Sequence, residues 1–277
     1  MQKRILTIQD YSCLGRCSLT VALPTISAYG IECVGIPTAV LSNHTQFESW
    51  TFSDLTNDLN PIVKKWEKYN NHFDTIYTGY LSTNQIDIVK DIIKGLKKDN
   101  TLLFIDPAMA DNGKLYPGFA SNHVAKMKEL CLLGDIVKPN VTEACLLAGV
   151  NYPTEVKPLS FYLELCKKLI TSGMKCIILT GIKCLDNKLG ILTYSKDKYD
   201  FVSYDYVNAS LHGTGDLFSS ALASGLTLGF DLYKSIDIAH KYVVKAIEAT
   251  LSDGLNGILY GPEFEKAIPY LVGLLAK

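Results

Sequence analysis

Short apolar runs rich in β-branched residues alternate with helical stretches along this chain, and that alternation leaves few architectures open. The runs at 5–9 (ILTIQ), 31–37 (IECVGIP), 73–81 (FDTIYTGYL), 101–107 (TLLFIDP), 136–140 (IVKPN) and 175–181 (KCIILTG) each read as a buried strand. Helical patterns fill the gaps at 17–30, 53–69, 83–100, 123–135, 142–149 and 160–173. In the third of these, Ile86, Val89, Ile93 and Leu96 fall on one face. In the second, Ser53 and Asp54 are cap candidates, and Pro61 marks a break or a new first turn. Two antiparallel strands are expected at 189–195 and 199–207, then helices from 212, over 235–254 and over 262–276. The stretch 108–122 reads as a long loop, and 112–119 within it as a candidate lid. The prediction is an α/β fold with a mostly parallel central sheet and helices on both faces. No Pro-, Gly- or Ser-rich linker interrupts it, so one domain is expected over 1–277.

Composition narrows the partners. The net charge of -1 advertises neither a nucleic-acid surface nor a polybasic membrane patch. The N-terminal stretch turns polar at Gln9-Asp10, too early for an apolar signal core, and no apolar run reaches the length of a membrane span. The chain therefore reads as cytoplasmic. Its eight cysteines contain no C-x-x-C pair, and most are expected to be buried thiols.

In open α/β sheets, ligands bind beyond the carboxyl ends of the strands. Those ends are polar here. They carry Gln9-Asp10, the segment 40–47 (VLSNHTQF), Thr78-Gly79-Tyr80, Asp106-Pro107, Lys138-Pro139-Asn140 with Glu143 just beyond, and Thr180-Gly181. The stretch 212–225, HGTGDLFSSALASG, adds a different device. Its two glycines precede a helix, and a helix N-terminus offers orphan N–H groups and partial positive charge. Gly213, Thr214 and Gly215 therefore suit a phosphate cradle. Asp216, in the first turn, is placed to take a proton from an attacking hydroxyl, or else to act as a plain cap. No G-x-x-x-x-G-K-S/T pattern occurs, and Phe218 prevents the stretch from completing a G-x-G-x-x-G. A dinucleotide-dependent oxidoreductase is accordingly disfavoured.

The stretch 212–225 resembles the Gly-x-Gly-Asp signature of the ribokinase superfamily. LSNHTQF at 41–47, TGYL at 78–81, DPAMAD at 106–111 and KPNVTEACLLAG at 138–149 are similar, in order, to the pyridoxal kinase branch. The resemblance implies a ribokinase-like fold and transfer of the ATP γ-phosphoryl group to the 5′-hydroxymethyl group of a B6 vitamer. It implies Asp216 as base and the backbone of Gly213, Thr214 and Gly215 as anion hole. It places Thr45, His44 and Asp10 with the vitamer, and Tyr80 near the ring or the transferred phosphate. Asp106, Asn140, Glu143, Lys138, Thr180 and Tyr116 fall to ATP, with Asp111 and Glu143 toward magnesium. ATP and magnesium are the implied cofactors, potassium is a further candidate, and a homodimer is the implied assembly.

Three departures from the pattern stand out. Asp10 occupies a place where the branch carries Ser, and a carboxylate there favours a protonated ring nitrogen. Gly15-Arg16-Cys17-Ser18-Leu19 replaces the branch's Gly-x-x-Gly-Asn. Arg16 then faces either substrate or solvent. Lys138, where the branch often has Thr, either serves the phosphates or pairs with Glu143. The alternative functions are a hydroxymethylpyrimidine kinase of the same fold and a non-catalytic vitamer-binding protein.

Overall fold

The computed structural model describes residues 2–69, 71–196, 198–207, 209 and 211–276. Along the chain run β1 (Arg4–Leu14), α1 (Ser18–Ala28), β2 (Glu32–Asn43), β3 (Phe52–Asp54), α2 (Thr56–Trp66), β4 (Thr75–Thr78), α3 (Gln85–Leu96), β5 (Leu102–Ile105), β6 (Ala110–Asp111), β7 (Lys114–Leu115), α4 (Ser121–Cys131), β8 (Ile136–Val137), α5 (Val141–Ala148), α6 (Leu159–Thr171), β9 (Ile177–Lys183), β10 (Lys188–Ser195), β11 (Lys198–Asp205), α7 (Thr214–Thr227), α8 (Leu232–Ser252), a 3₁₀ turn (Leu255–Tyr260) and α9 (Phe264–Leu275). The class is the α/β one expected, a mostly parallel sheet flanked by helices. The elements group into two compact units.

The first unit comprises Met1–Gly79, Asp91–Leu102 and Val207–Lys277. Its strands lie in the order β4-β1-β2-β3. β1 runs parallel to both β2 and β4, and only the short β3 is antiparallel. Ile5, Leu6, Ile8, Ile36 and Ile76 are fully buried, as continuous apolar runs must be in strands covered on both sides. α7 packs on α1 and α8, and α8 on α9. The β1–β2 register shifts between Gln9 and Tyr11: Gln9 faces Pro37 and Tyr11 faces Val40. One residue of β1, Asp10, therefore opposes two of β2, Thr38 and Ala39, so the extra residue of this bulge lies on β2 and the pairing resumes to Leu14.

The second unit comprises Tyr80–Lys90 and Leu103–Tyr206. Its strands follow the order β5-β8-β9-β10-β11. The first three are parallel, and β10 is antiparallel to β9 and β11. The β10–β11 pair is the hairpin expected from the sequence, and Tyr194 stacks on Tyr199 across it at 6.5 Å.

Three local features differ from the expectations. Ser53 and Asp54 end β3 instead of opening α2, although the Asp54 carboxylate still accepts the Thr56 N–H at 2.7 Å. Pro61 sits on an exposed face inside α2 and does not end it. The stretch 108–122 is not wholly a loop, because β6 and β7 pair around Asn112-Gly113, both at positive φ (49° and 78°). Asn-Gly is the strongest short signal for such a two-residue hairpin turn. No helix among the described residues is long and apolar enough to cross a membrane.

Candidate functional site

In the first unit, the cradle expected before α7 is built by exclusion. Gly213 is the N-cap at φ 89°. A Cβ there would lie 1.9 Å from the Arg16 carbonyl oxygen, so only glycine fits this approach. The Thr214 hydroxyl donates to the Leu211 carbonyl at 3.0 Å, and the Leu217 N–H donates to the Gly213 carbonyl at 3.0 Å. The helix thus starts in a fixed place with its first-turn N–H groups pointing outward along its axis. Asp216 lies in that turn and is partly exposed. Its Oδ2 accepts the Ser18 backbone N–H at 2.8 Å, so two helix N-termini serve one carboxylate.

Ser18 is the first residue of α1 and has φ 48°. A non-glycine residue in that region costs about 1 kcal/mol or more. The Ser12 hydroxyl donates to the Asp10 carboxylate at 3.2 Å. Asp10 is only 5% exposed, and burial raises its carboxyl above the usual range while the serine hydroxyls and a backbone N–H pull it back. Cys17 sits beside both acids. Burial first, then the charges of Asp10 and Asp216, push its thiol well up, so it stays protonated and is no nucleophile. Cys17, Cys131, Cys145 and Cys166 are buried, Cys33, Cys176 and Cys184 are intermediate, and Cys13 is exposed.

Arg16 does not face an open site. Its Nε donates to both carboxylate oxygens of Glu265 at 2.9 Å, and its backbone N–H donates to the Tyr260 carbonyl at 2.9 Å. His44 is buried, with its ring 4.7 Å from that of Phe47 and 4.5 Å from that of His212. Its Nδ1 accepts the Gln46 N–H at 3.3 Å, and Asn43 Nδ2 donates to the Ser49 carbonyl at 2.8 Å. His44 therefore braces the 43–49 loop, and Thr45 stands exposed at its tip.

In the second unit, the ends of β5 and β8 bring Asp106 and Lys138 to 2.8 Å, both about 4% exposed. Lys138, expected to serve the phosphates or to pair with Glu143, pairs with Asp106. Asn140 and Glu143 form a reciprocal cap on α5. Asn140 Oδ1 accepts the Glu143 N–H at 2.9 Å, and Glu143 Oε2 accepts the Asn140 N–H at 2.8 Å. Glu143 Oε1 accepts the Met109 N–H at 3.1 Å, and Asn140 Nδ2 donates to the Ala110 carbonyl at 2.8 Å, tying the 106–111 segment down. Burial, then the Asp106 charge, push Glu143 up to about 8, against the pull of Lys138 and the two N–H groups. Thr180 and Asn140 form a parallel bridge, and Tyr116 is tied by its N–H to the Met109 carbonyl at 2.8 Å. Tyr80 stacks on Phe119 at 5.4 Å, and Phe119 on His123 at 3.7 Å. His123 Nδ1 is 3.0 Å from the Thr83 hydroxyl.

The two acids expected toward magnesium, Asp111 and Glu143, lie in different surroundings. Asp111 is exposed and takes the Asn112 N–H and side-chain amide on its two oxygens, while Glu143 is buried with backbone N–H groups on both of its own. Among the described residues, no group of three or more His, Cys, Asp or Glu side chains is placed to hold a metal ion. Ser12, Ser18, Thr83 and Phe119 were not singled out by sequence reasoning. Only Ser18 carried a signal, as a non-glycine residue at a place where the resemblance has Gly.

The family model for phosphomethylpyrimidine kinase matches residues 21–259. The chain is 28% identical to the pyridoxal kinase of Dictyostelium discoideum, over 86% of its own length and 82% of that protein. A Bacteroides thetaiotaomicron protein assigned as a phosphomethylpyrimidine kinase, solved with pyridoxal, is 34% identical. The match has a TM-score of 0.92 and covers 98% of this chain and 96% of that one. Leishmania donovani pyridoxal kinase, solved with ADP and pyridoxamine, is 21% identical. It has a TM-score of 0.87 over 98% of this chain and 96% of its own, a likeness of fold.

Two measurements follow from this geometry. Burial, then the neighbouring His44, lower His212 to about 4. As pH falls from about 6.5, the unfolded chain takes up a proton that the folded one refuses, so stability is lost down to about pH 4. Denaturant unfolding at stepped pH should show that decline, and His212→Gln should flatten part of it. Lys138→Met strips the buried Asp106 of its ammonium. It should cost about 3–5 kcal/mol in urea unfolding, most of it recovered when Asp106→Leu is added.

Proposed function

The chain belongs to the phosphomethylpyrimidine kinase family, and from that membership we propose that it transfers the γ-phosphoryl group of ATP to the 5′-hydroxymethyl group of pyridoxal, pyridoxamine or pyridoxine. The observation that carries this reading is Asp216, held in the first turn of α7 with its Oδ2 on the Ser18 N–H and the Gly213 cradle directly before it. The branch-level choice of a B6 vitamer is supported by the names of the relatives and by the pyridoxal in the Bacteroides thetaiotaomicron structure.

In this reading Asp216 takes the hydroxymethyl proton as the alcohol oxygen bonds to the γ-phosphorus. The bond from that phosphorus to the β,γ-bridging oxygen breaks, and ADP leaves. Gly213, Thr214 and Gly215 direct backbone N–H groups at the transferring phosphoryl group, where positioning and charge neutralisation do most of the catalysis. Magnesium arrives with ATP as part of the substrate. Lys138 with Asp106, Asn140, Glu143, Thr180 and Tyr116 serve the nucleotide, and Tyr80, backed by Phe119, serves the ring or the phosphate. Thr45 contacts the ring substituents, and His44 acts by bracing their loop. Asp10, held by the Ser12 hydroxyl and raised by burial, reads the ring nitrogen and gains an opposite charge when that nitrogen is protonated. The family model runs through both units, which supports a single kinase domain. A homodimer, a cytoplasmic setting and a potassium requirement remain part of the proposal.

A second reading keeps the fold and the base and changes the alcohol to hydroxymethylpyrimidine, favoured by the family description. ATP consumption with each vitamer and with hydroxymethylpyrimidine separates the two. Turnover of a B6 vitamer, falling by about 10²–10⁴-fold in Asp216→Ala, is expected. Turnover of hydroxymethylpyrimidine alone would reverse the substrate assignment. Asp10→Ser should flatten the pH dependence of the vitamer KM, and an unchanged profile would remove Asp10 from the ring.

A further inference from the structure

The loop that presents Thr45 and the cradle that opens α7 are separate segments of the first unit, and a ring contact joins them. His44, on the loop, and His212, the residue before Gly213, have ring centroids 4.5 Å apart at 43°. Both partners are held from behind. A Cβ at Gly15 would lie 2.1 Å from His44 Cδ2, so the backbone there closes directly against that ring. Phe47 covers the His44 ring at 4.7 Å and itself meets the Tyr260 ring at 5.5 Å and 72°. A Cβ at Gly261 would lie 2.8 Å from the His212 carbonyl oxygen, so the chain presses on His212 from its backbone side. Burial holds both imidazoles below their usual range, so the contact is between neutral rings.

We propose that His212 is a positioning residue through which the 43–49 loop sets the place of the Gly213 cradle. A vitamer that engages Thr45 settles the loop, and His44 settles with it. The His44 ring then fixes the His212 ring. Gly213 follows His212 directly, so a His212 that shifts carries the first N–H of the cradle with it. Vitamer binding and phosphoryl alignment thereby share one contact. This deepens the kinase reading and rests on it. A His212 that only fills space in the turn before α7 predicts lower stability and unchanged kinetics of the folded enzyme.

The deciding set is wild type, His212→Ala, His212→Phe, His44→Ala and the double alanine variant, each assayed for kcat, vitamer KM and melting temperature. One aromatic pair is worth about threefold to tenfold in an equilibrium. His212→Ala should therefore lower kcat and raise vitamer KM, each by about that factor. His212→Phe keeps a ring without its nitrogens and should restore most of both. In the His44→Ala background the contact is already gone, so His212→Ala should add no further loss. Should His212→Ala not fold, His212→Leu takes its place with the same expected losses, because it fills volume without an aromatic face. A change confined to kcat or to vitamer KM would overturn the coupling. So would His212→Phe as impaired as His212→Ala, or losses that multiply in the double variant. Unchanged kinetics with a lowered melting temperature would reduce His212 to a turn residue and overturn it too. All of these leave the kinase reading intact, whereas a wild-type protein that phosphorylates none of the alcohols overturns both.

Discussion

The approach of Gly213 to the Arg16 carbonyl is the constraint on which the first unit's chemistry depends. It presses the start of α7 against the segment between β1 and α1. Any side chain at 213 would drive the two apart, and Asp216 would leave the Ser18 N–H. Arg16 secures the other side of this contact through Glu265 and the Tyr260 carbonyl. Arg16 thus serves as a structural strut, with its charge directed at a carboxylate of α9. The C-terminal helix thereby helps to set the position of Asp216.

The second unit solves a different problem, which is to keep charge where water is scarce. Asp106 and Lys138 neutralise one another. Glu143 gathers two backbone N–H groups while Asn140 returns the cap. A carboxylate used in this way organises the 106–111 segment.

Much of this was legible in the sequence. The strand runs around Ile5, Ile76, Phe104 and Ile177 were continuous and apolar because both faces are covered, and their ends located Asp10, Asp106 and Lys138. The Gly-x-Gly-Asp stretch gave away its helix start because Gly213 has no substitute there. Other features were hidden for physical reasons. β3 is three exposed residues with no period to read. The β6–β7 hairpin was written in Asn112-Gly113, but its strands are too short to alternate. The pairing of Lys138 with Asp106 was not foreseen, because the two lie 32 residues apart and meet only where the ends of β5 and β8 do. The Ser18 link needed three dimensions, since its partner Asp216 lies 198 residues after it.

The hydrogen bond from the Ser18 N–H to Asp216 joins residues 198 apart in the sequence. The contact of Gly213 with the Arg16 carbonyl spans nearly the same gap. Both close only when the first and last parts of the chain meet, so neither exists in a partly synthesised chain that lacks α7. Contacts of such long range are slow to form, because the loop between them must close first.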